Sequence, residues 1–429
     1  MDVAVVGVGY VGLVTGAGLA KIGHRIVCID VDKGKIDNLN KGLIPIFEPG
    51  LDELVRAGLG EGSLTFSTDL NEAVEASDII FICVGTPSDE NGAADLSFVK
   101  EVAKGIAKAI DRYKIIANKS TVPVGTTRLV ERLIEENMPH PHEFDVISNP
   151  EFLREGSAIE DFLNPDRIVI GTNSQRAIGL MTELYGPIRA PLVITDPASA
   201  EMIKYASNAF LATKVSFINA ISNICDTVGA DVKEVALGMG YDRRIGFEFL
   251  KAGPGWGGSC FGKDCRALIR IAEENGYDFE LLKGVIEVNE AQRQLIVSKA
   301  GKLLGGLRGK RIGALGLSFK PNTDDVRDSP AISVLRKLRS EGANIKAYDP
   351  AAMKNAGDVL GDIEYVSDAY QVAEGSDILI LLTEWDEFKW VDFQKIKSLL
   401  RKPVILDARN CLDHSALRKM GFTYEGVGR

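Results

Sequence analysis

The sequence holds 429 residues, 45% of them hydrophobic, and a single hydrophobic core rarely grows past roughly 250–300 residues, so two or three domains are expected. Its 60 acidic and 50 basic side chains give a net charge of −10 with no run of like charge; nucleic acid is therefore not an expected partner, and a polyanionic ligand must be met by locally placed Lys and Arg. Six cysteines (28, 83, 225, 260, 265 and 411) form no CxxC pair and the four histidines complete no zinc spacing, so no metal is expected and the scattered thiols suit a reducing, cytoplasmic setting.

The chain opens on Val3–Val6, a β-branched strand signal, followed by Gly7-Val8-Gly9-Tyr10-Val11-Gly12 and a helical pattern. The uncharged run Val3–Ala20 is not read as a signal anchor, because it carries five glycines and follows Asp2 instead of a basic flank. No other stretch is long and apolar enough to span a bilayer, and no membrane partner is expected. In the GxGxxG context Gly7 permits the tight turn, Gly9 lets the backbone approach a pyrophosphate and Gly12 lets helix and strand pack closely. The diphosphate would meet the free N–H groups and dipole of the helix N-terminus. Asp30 ends the next strand signal, Arg25–Ile29, where an acid accepts hydrogen bonds from ribose hydroxyls. Asp30 and Asp32 would repel a 2′-phosphate, so NAD is expected over NADP, with Lys35 covering the adenine side. The alternative is a nucleotide-free fold of the same class, with Asp30 as a turn residue.

Further apolar runs at Ile79–Val84, Ile115–Lys119, Asp145–Ser148 and Arg167–Ile170 alternate with helical patterns, which argues for a parallel sheet with right-handed crossovers. The loops Cys83–Pro87 and Lys119–Pro123 follow strands and are placed to touch cofactor or substrate; turn chemistry alone would also satisfy their Thr-Pro and Val-Pro pairs. Asp196-Pro197 then opens a long helical stretch, Asp as N-cap and Pro in the first turn. Helical patterning continues to about Leu304, broken at 253–262, and suits a hinge or dimerisation element. From Lys310 the chain repeats its own opening. Lys310–Gly316 resembles Val3–Gly9, and Ser376–Ile380 resembles Ser77–Phe81, without the third fingerprint glycine. An internal duplication of architecture is expected, with chance as the alternative. The fold class is α/β: two Rossmann-like doubly wound domains, 1–195 for NAD and 305–429, joined by a central helical domain at 196–304.

The segment Gly253-Pro-Gly-Trp-Gly-Gly-Ser-Cys260-Phe-Gly-Lys-Asp264 is too rich in glycine for a helix and lets backbone approach a ligand. Helical patterning resumes after Cys260. A cysteine at a helix N-terminus beside a lysine is a candidate nucleophile, whereas the other five cysteines read as inert core thiols. Lys204 and Asn208, four apart on one helical pattern, share a face.

Six ordered motifs, GVGYVGL, STVPVG, NPEFLREG, KYASNAF, FLKAGPGWGGSCFGKD and GLSFKPNTDDVRDSPA, span essentially the whole chain. Together they resemble the UDP-glucose/GDP-mannose dehydrogenase family. One departure is Gly262, where the family commonly has Pro. The resemblance implies an NAD-dependent, four-electron oxidation of a nucleotide sugar through a hemithioacetal and then a thioester on Cys260. It implies that Lys204 and Asn208 polarise the reacting oxygen beside Asp264, that Glu151 does acid–base work, and that Thr121 positions a water. It places Gly7, Gly9, Tyr10, Val11, Gly12, Asp30, Lys35, Thr86, Thr121, Glu155, Lys263 and Arg327 at the cofactor. Substrate contacts would come from Glu151, Phe152, Leu153, Lys204, Asn208, Phe249, Lys251, Gly257, Phe319, Lys320 and Arg409. Arg244 would reach the substrate of a second subunit, making the protein a homodimer, and the active site would lie in the crevice between the outer domains. Gly-Ser-Cys followed by Phe leans toward a UDP-linked glucose; GDP-mannose, a UDP-N-acetylhexosamine or a non-catalytic dinucleotide-binding role are the alternatives.

Overall fold

The computed structural model describes residues 1–89 and 92–429. The chain divides into two compact units, one of residues 1–207 with 266–271, the other of 208–265 with 272–429.

The first unit is built on eight strands: β1 (Asp2–Val6), β2 (Arg25–Ile29), β3 (Leu64–Ser67), β4 (Ile79–Ile82), β5 (Lys114–Asn118), β6 (Phe144–Ser148), β7 (Ile168–Gly171) and β8 (Leu192–Thr195). They lie in the order β3-β2-β1-β4-β5-β6-β7-β8. β4 is wholly apolar, β1 after Asp2 and β5 between Lys114 and Asn118 are too, and all three are almost wholly buried, as a parallel strand covered on both faces must be. Phe81 and Ile115 pack with Leu13 and Val14 of the helix Tyr10–Lys21 on one face, and Ile80 and Ile116 with Val99 and Ala103 of Ser97–Ala109 on the other. Pairing is parallel from β3 through β6. The expectation of a wholly parallel sheet fails at one place: β6 meets β7 antiparallel, through Ser148 and Gly171. The connection between them carries only the six-residue helix Ala158–Leu163. It does not recross the sheet, so β7 starts from the end where β6 stops and runs back.

The second unit holds six parallel strands, β9 (Arg311–Leu315), β10 (Asn344–Tyr348), β11 (Glu364–Tyr365), β12 (Ile378–Leu381), β13 (Val404–Asp407) and β14 (Thr423–Glu425), in the order β11-β10-β9-β12-β13-β14. Its strand order repeats that of β3 to β6 with its neighbours, and the repeat extends to atoms. Gly7 N–H donates to Ile29 and Gly316 N–H to Tyr348, the last residues of β2 and β10. Asp30 accepts from Val8 N–H, and Asp349 from Leu317 and Ser318 N–H.

The helices Pro197–Val228, Val232–Gly240, Phe261–Glu274 and Glu280–Leu304 form the central stretch. Asp196 caps the first of them through the Ser199 N–H at 3.0 Å, as its position before Pro197 requires.

Candidate active site

The dinucleotide loop joins β1 to the helix Tyr10–Lys21. Gly7 has φ +97°, and a Cβ there would sit 2.9 Å from the Cys83 backbone; a Cβ on Gly12 would overlap the Gly7 carbonyl oxygen. The space over Gly9 is open. Gly9 is the N-cap, no side chain caps the helix and its first turn holds no acid, so its N–H groups face outward to an anion. Asp30 accepts from Val8 N–H at 2.9 Å, Asp32 N–H at 3.1 Å and Lys35 Nζ at 2.9 Å. Burial pushes its carboxyl up, but the Asp32 N–H, the Lys35 ammonium and the Val8 N–H together outweigh this and hold it below the usual range. Lys35 is thus tied to Asp30. In the second sheet the matching Asp349 is spent on the protein itself: it also accepts from Ser318 Oγ, Ala351 N–H, Ala352 N–H and Trp385 Nε1, and it is buried. Open glycine backbone, uncapped helix and an acid whose side chain keeps 12% exposure fit NAD at the first sheet alone.

Beside this loop, the Thr86 hydroxyl donates to the Thr121 carbonyl at 2.8 Å, and Ser120 Oγ to the Val84 carbonyl at 2.7 Å, locking together the loops that follow β4 and β5. After β6 the chain turns through Glu151, Phe152 and Leu153. Glu151 and Lys204 form an ion pair of 2.8 Å with side chains only 6% and 5% exposed. The other Glu151 oxygen accepts from Leu153 N–H at 2.6 Å. Phe152 lies under Lys204 at 5.3 Å and stacks with Arg167 at 3.6 Å. Three further residues brace this region; sequence reasoning missed Glu48 and Glu201 and named Lys119 only as the start of its loop. Glu48 accepts from Tyr10 Oη and from the N–H groups of Gly156 and Ala158, holding the Glu151–Glu155 loop. Glu201, buried on the Lys204 helix, accepts from Gly125 N–H and from Thr127 N–H and Oγ1. Lys119 anchors Asn149.

In the second unit, Cys260 is the N-cap of the helix Phe261–Glu274 and is exposed. Asp264, one turn on and fully buried, accepts from Asn208 Nδ2 at 2.6 Å and from Lys263 Nζ at 2.7 Å. The loop before Cys260 looks flexible in sequence, yet buried polar side chains bolt it down. Asn219 takes Gly253 N–H, Asn289 exchanges two bonds with the Trp256 backbone, Gln292 and Arg293 donate to the Gly253 and Trp256 carbonyls, and Ser216 takes the Trp256 indole. A Cβ on Gly257 would overlap the Asp328 carbonyl, and one on Gly258 would press on the Phe319 ring at 2.8 Å. The glycines serve close packing here, not mobility. Asn289 and Gln292 were findable: they fall at helical spacing with Val285 and Ile296, on the buried stripe of their helix.

Phe319, Lys320 and Arg409 gather at the C-terminal ends of β9 and β13. Arg409 donates to the Phe319 and Leu382 carbonyls and pairs with Glu384, while Lys320 Nζ stands 5.5 Å from the Phe319 ring. Arg327 pairs with Asp325, and its carbonyl takes Gly258 N–H, fixing it to the cysteine loop. Phe249, at φ +63°, packs on Phe261. Lys251 is exposed, and Arg244 lies on the surface against Asp242.

Successive stretches of the chain match the three models of one family: its NAD binding domain at 1–189, its central domain at 198–291 and its UDP binding domain at 313–414. The chain belongs to the UDP-glucose/GDP-mannose dehydrogenase family. It is 51% identical over 428 residues to UDP-glucose 6-dehydrogenase TuaD of Bacillus subtilis, covering all of this chain and 93% of the relative. The UDP-glucose 6-dehydrogenase of Rhizobium meliloti is 48% identical over the full length of both. Among solved structures, a UDP-glucose dehydrogenase from Pyrobaculum islandicum superposes with a TM-score of 0.93 at 42% identity, over 99% of this chain and 97% of that one. A UDP-D-ManNAc dehydrogenase from Pyrococcus horikoshii has a TM-score of 0.88 at 27% identity, over 100% and 99%. Membership makes the chain an NAD-dependent nucleotide-sugar dehydrogenase, and the geometry of its dinucleotide loop agrees.

Proposed function

We propose that this chain oxidises UDP-glucose to UDP-glucuronate in two successive steps, with Cys260 as covalent catalyst. The observation that carries the reading is the exposed Cys260 at a helix N-terminus, one turn from an Asp264 held by Asn208 and Lys263. An exposed sulfur at the start of a helix is open to a substrate and placed for nucleophilic attack. The relatives named for UDP-glucose support the sugar.

Bound NAD supplies a hydride acceptor, once for each step. The chain's residues do the rest. Gly7, Gly9 and Gly12 with Tyr10 and Val11 receive the diphosphate, Asp30 and Lys35 the adenosine, and Thr86, Thr121, Glu155, Lys263 and Arg327 the remainder of the cofactor. Arg409, Lys320, Phe319, Phe249, Lys251, Gly257, Phe152 and Leu153 hold the nucleotide sugar. In the first oxidation the sugar C6 alcohol loses a hydride and a proton, and the Lys204–Glu151 pair accepts the proton. The Cys260 sulfur then adds to the resulting aldehyde carbon, forming a C–S bond, while Lys204, Asn208 and Asp264 stabilise the oxygen. Loss of a second hydride from that carbon leaves a thioester. Water, positioned by Thr121 and deprotonated with the help of Glu151, adds to the thioester; the C–S bond breaks and the thiolate returns. Four electrons leave the sugar and two NAD take them.

The proposal extends to organisation: NAD domain at 1–195, dimerisation domain at 196–304, nucleotide-sugar domain at 305–429. Phe210, Phe217, Ile224 and Val228 expose an apolar stripe at seven-, seven- and four-residue spacing along one helix, which supports burial against a second copy. In that homodimer Arg244 would reach the partner's substrate. Among the described residues no helix is long and apolar enough to cross a membrane, and a cytoplasmic location is proposed from the thiol content.

The test is stoichiometric. Purified protein, NAD and limiting UDP-glucose should yield two equivalents of reduced nicotinamide per sugar. Turnover of GDP-mannose or an N-acetylated UDP-sugar alone would reject the substrate, and one equivalent per sugar would reject the second step.

A further inference from the structure

Lys119 follows β5 and is buried. Its ammonium donates to Asn149 Oδ1 at 3.1 Å, to the Asn149 carbonyl at 3.5 Å and to Tyr185 Oη at 3.4 Å, and lies 5.8 Å from the Phe81 ring centroid and 5.9 Å from that of Tyr185. Among the described residues no carboxylate comes within ion-pair distance of it. A buried cation without a bonded counter-ion is unfavourable by several kcal/mol in general, so its retention calls for a reason beyond packing. Hydrogen bonding is not that reason: Asn149 Oδ1 already accepts from Tyr185 Oη at 2.6 Å, and Asn149 Nδ2 donates to the Val169 carbonyl. What a lysine adds at this position is charge.

Four ionisable groups face that charge, each from a different element: Cys83 after β4, Glu151 after β6, Tyr185 on the helix Gln175–Tyr185, and Lys204 on the long helix. Burial pushes the Cys83 thiol up to about 12 and the Tyr185 phenol up as well, so both are neutral around pH 7. The remaining partners are the Glu151 carboxylate and the Lys204 ammonium, bonded to each other at 2.8 Å. Burial brings Lys119 down to about 8, against the opposing pull of Cys83 and then Glu151 and with a smaller repulsion from Lys204. Lys119 is bonded to Asn149, two residues before Glu151, so its charge lies near the Glu151–Lys204 ion pair in a setting of low dielectric.

We propose that Lys119 is a positioning residue whose buried charge sets the proton state of the Glu151–Lys204 pair, weakening the hold of Lys204 on its proton so that this pair can accept the proton of the substrate hydroxyl. This rests on the proposed function only in giving the pair that task. Lys119 touches neither substrate nor cofactor in this account; it acts through Lys204.

Full-length Lys119→Met and Lys119→Arg proteins test it. With the like charge removed, Lys204 holds its proton more tightly, and the ascending limb of kcat/KM against pH for UDP-glucose should move up by about one pH unit in K119M. K119R keeps the charge and should hold the limb at its wild-type position even where its turnover is lower. A K119M limb that coincides with wild type in a folded, NAD-binding protein overturns the proposal. A second readout needs no turnover. In a urea-unfolding cycle of K119M and K204M at pH 7, each single change relieves the same repulsion, so the double variant should be less stable than the sum of the singles. Above pH 9, where Lys119 has lost its proton, that coupling should vanish. Additivity at pH 7 overturns the charge coupling. Should K119M fail to fold, K119R decides: the wild type's response around pH 8 must disappear with a guanidinium that does not titrate, and its persistence overturns the proposal. A wild type that turns over no nucleotide sugar would sink the proposed function, while the cycle would still decide the coupling.

Discussion

Replacing Lys204 by Met tests whether the Glu151–Lys204 pair is held together by charge. The pair is 2.8 Å long and both side chains are about nineteen-twentieths buried. At an effective dielectric of about 20 the gross attraction at that distance is roughly 6 kcal/mol, against a desolvation penalty of several kcal/mol for each ion, so the net worth of the intact pair is small. The variant is different. Met removes the cation and leaves Glu151 buried with the Leu153 N–H as a remaining donor. Breaking a buried pair in this way costs about 3–5 kcal/mol. Urea unfolding at pH 7, followed by fluorescence and circular dichroism, should show K204M destabilised by about that amount, and E151Q/K204M should recover most of the loss because no charge is stranded. A K204M protein within about 0.5 kcal/mol of wild type, the range of an ordinary surface change, would refute the reasoning.

Two further outcomes follow from the same geometry. Asp30→Asn should weaken NAD binding tenfold or more, measured by fluorescence titration, without weakening UDP-glucose binding. Because the Asp30 carboxyl sits below its ordinary value of 3.8, its contribution to stability is present above that value and lost as pH falls through the lower folded one; the thermal stability gap between D30N and wild type should stay level from pH 7 to about 4.5 and close only in stronger acid. Asn289→Leu strands the buried Trp256 N–H, while the Trp256 carbonyl keeps the Arg293 donor. It should destabilise the second unit by about 1–3 kcal/mol and lower kcat through the displaced cysteine loop, with NAD affinity unchanged.

The strands legible from sequence were those with continuous β-branched runs, such as Val3–Val6 and Ile79–Ile82, which bury both faces. Leu64–Ser67 and Leu192–Thr195 escaped because each has four residues, one alternates with polar ones, and the other exposes Val193 and Ile194. The reversal at β7 escaped because apolar periodicity carries no direction; what sets it is the short connection through Ala158–Leu163. At the site, the dinucleotide loop and the cysteine loop were legible because glycine spacing and helix starts are local. The pairings Glu151–Lys204 and Asn208–Asp264 are tertiary; the family resemblance put Asp264 beside Asn208 and named Glu151 and Lys204, but not as a pair. The bracing residues Glu48, Lys119 and Glu201 had no signature of their own: Lys119 and Glu201 stand just outside quoted motifs, Glu48 in none, and burial alone reveals their bracing role.

In the proposed reaction one exposed thiol carries the sugar through its second oxidation. Acid quenching of a single turnover with UDP-glucose and NAD, followed by peptide mass analysis, measures this directly. A UDP-glucuronyl thioester is expected on the peptide that contains Cys260 and on no other; it should be absent from Cys260→Ser, which should form no net UDP-glucuronate. Full UDP-glucuronate production by C260S, or an adduct on a different cysteine, would contradict it.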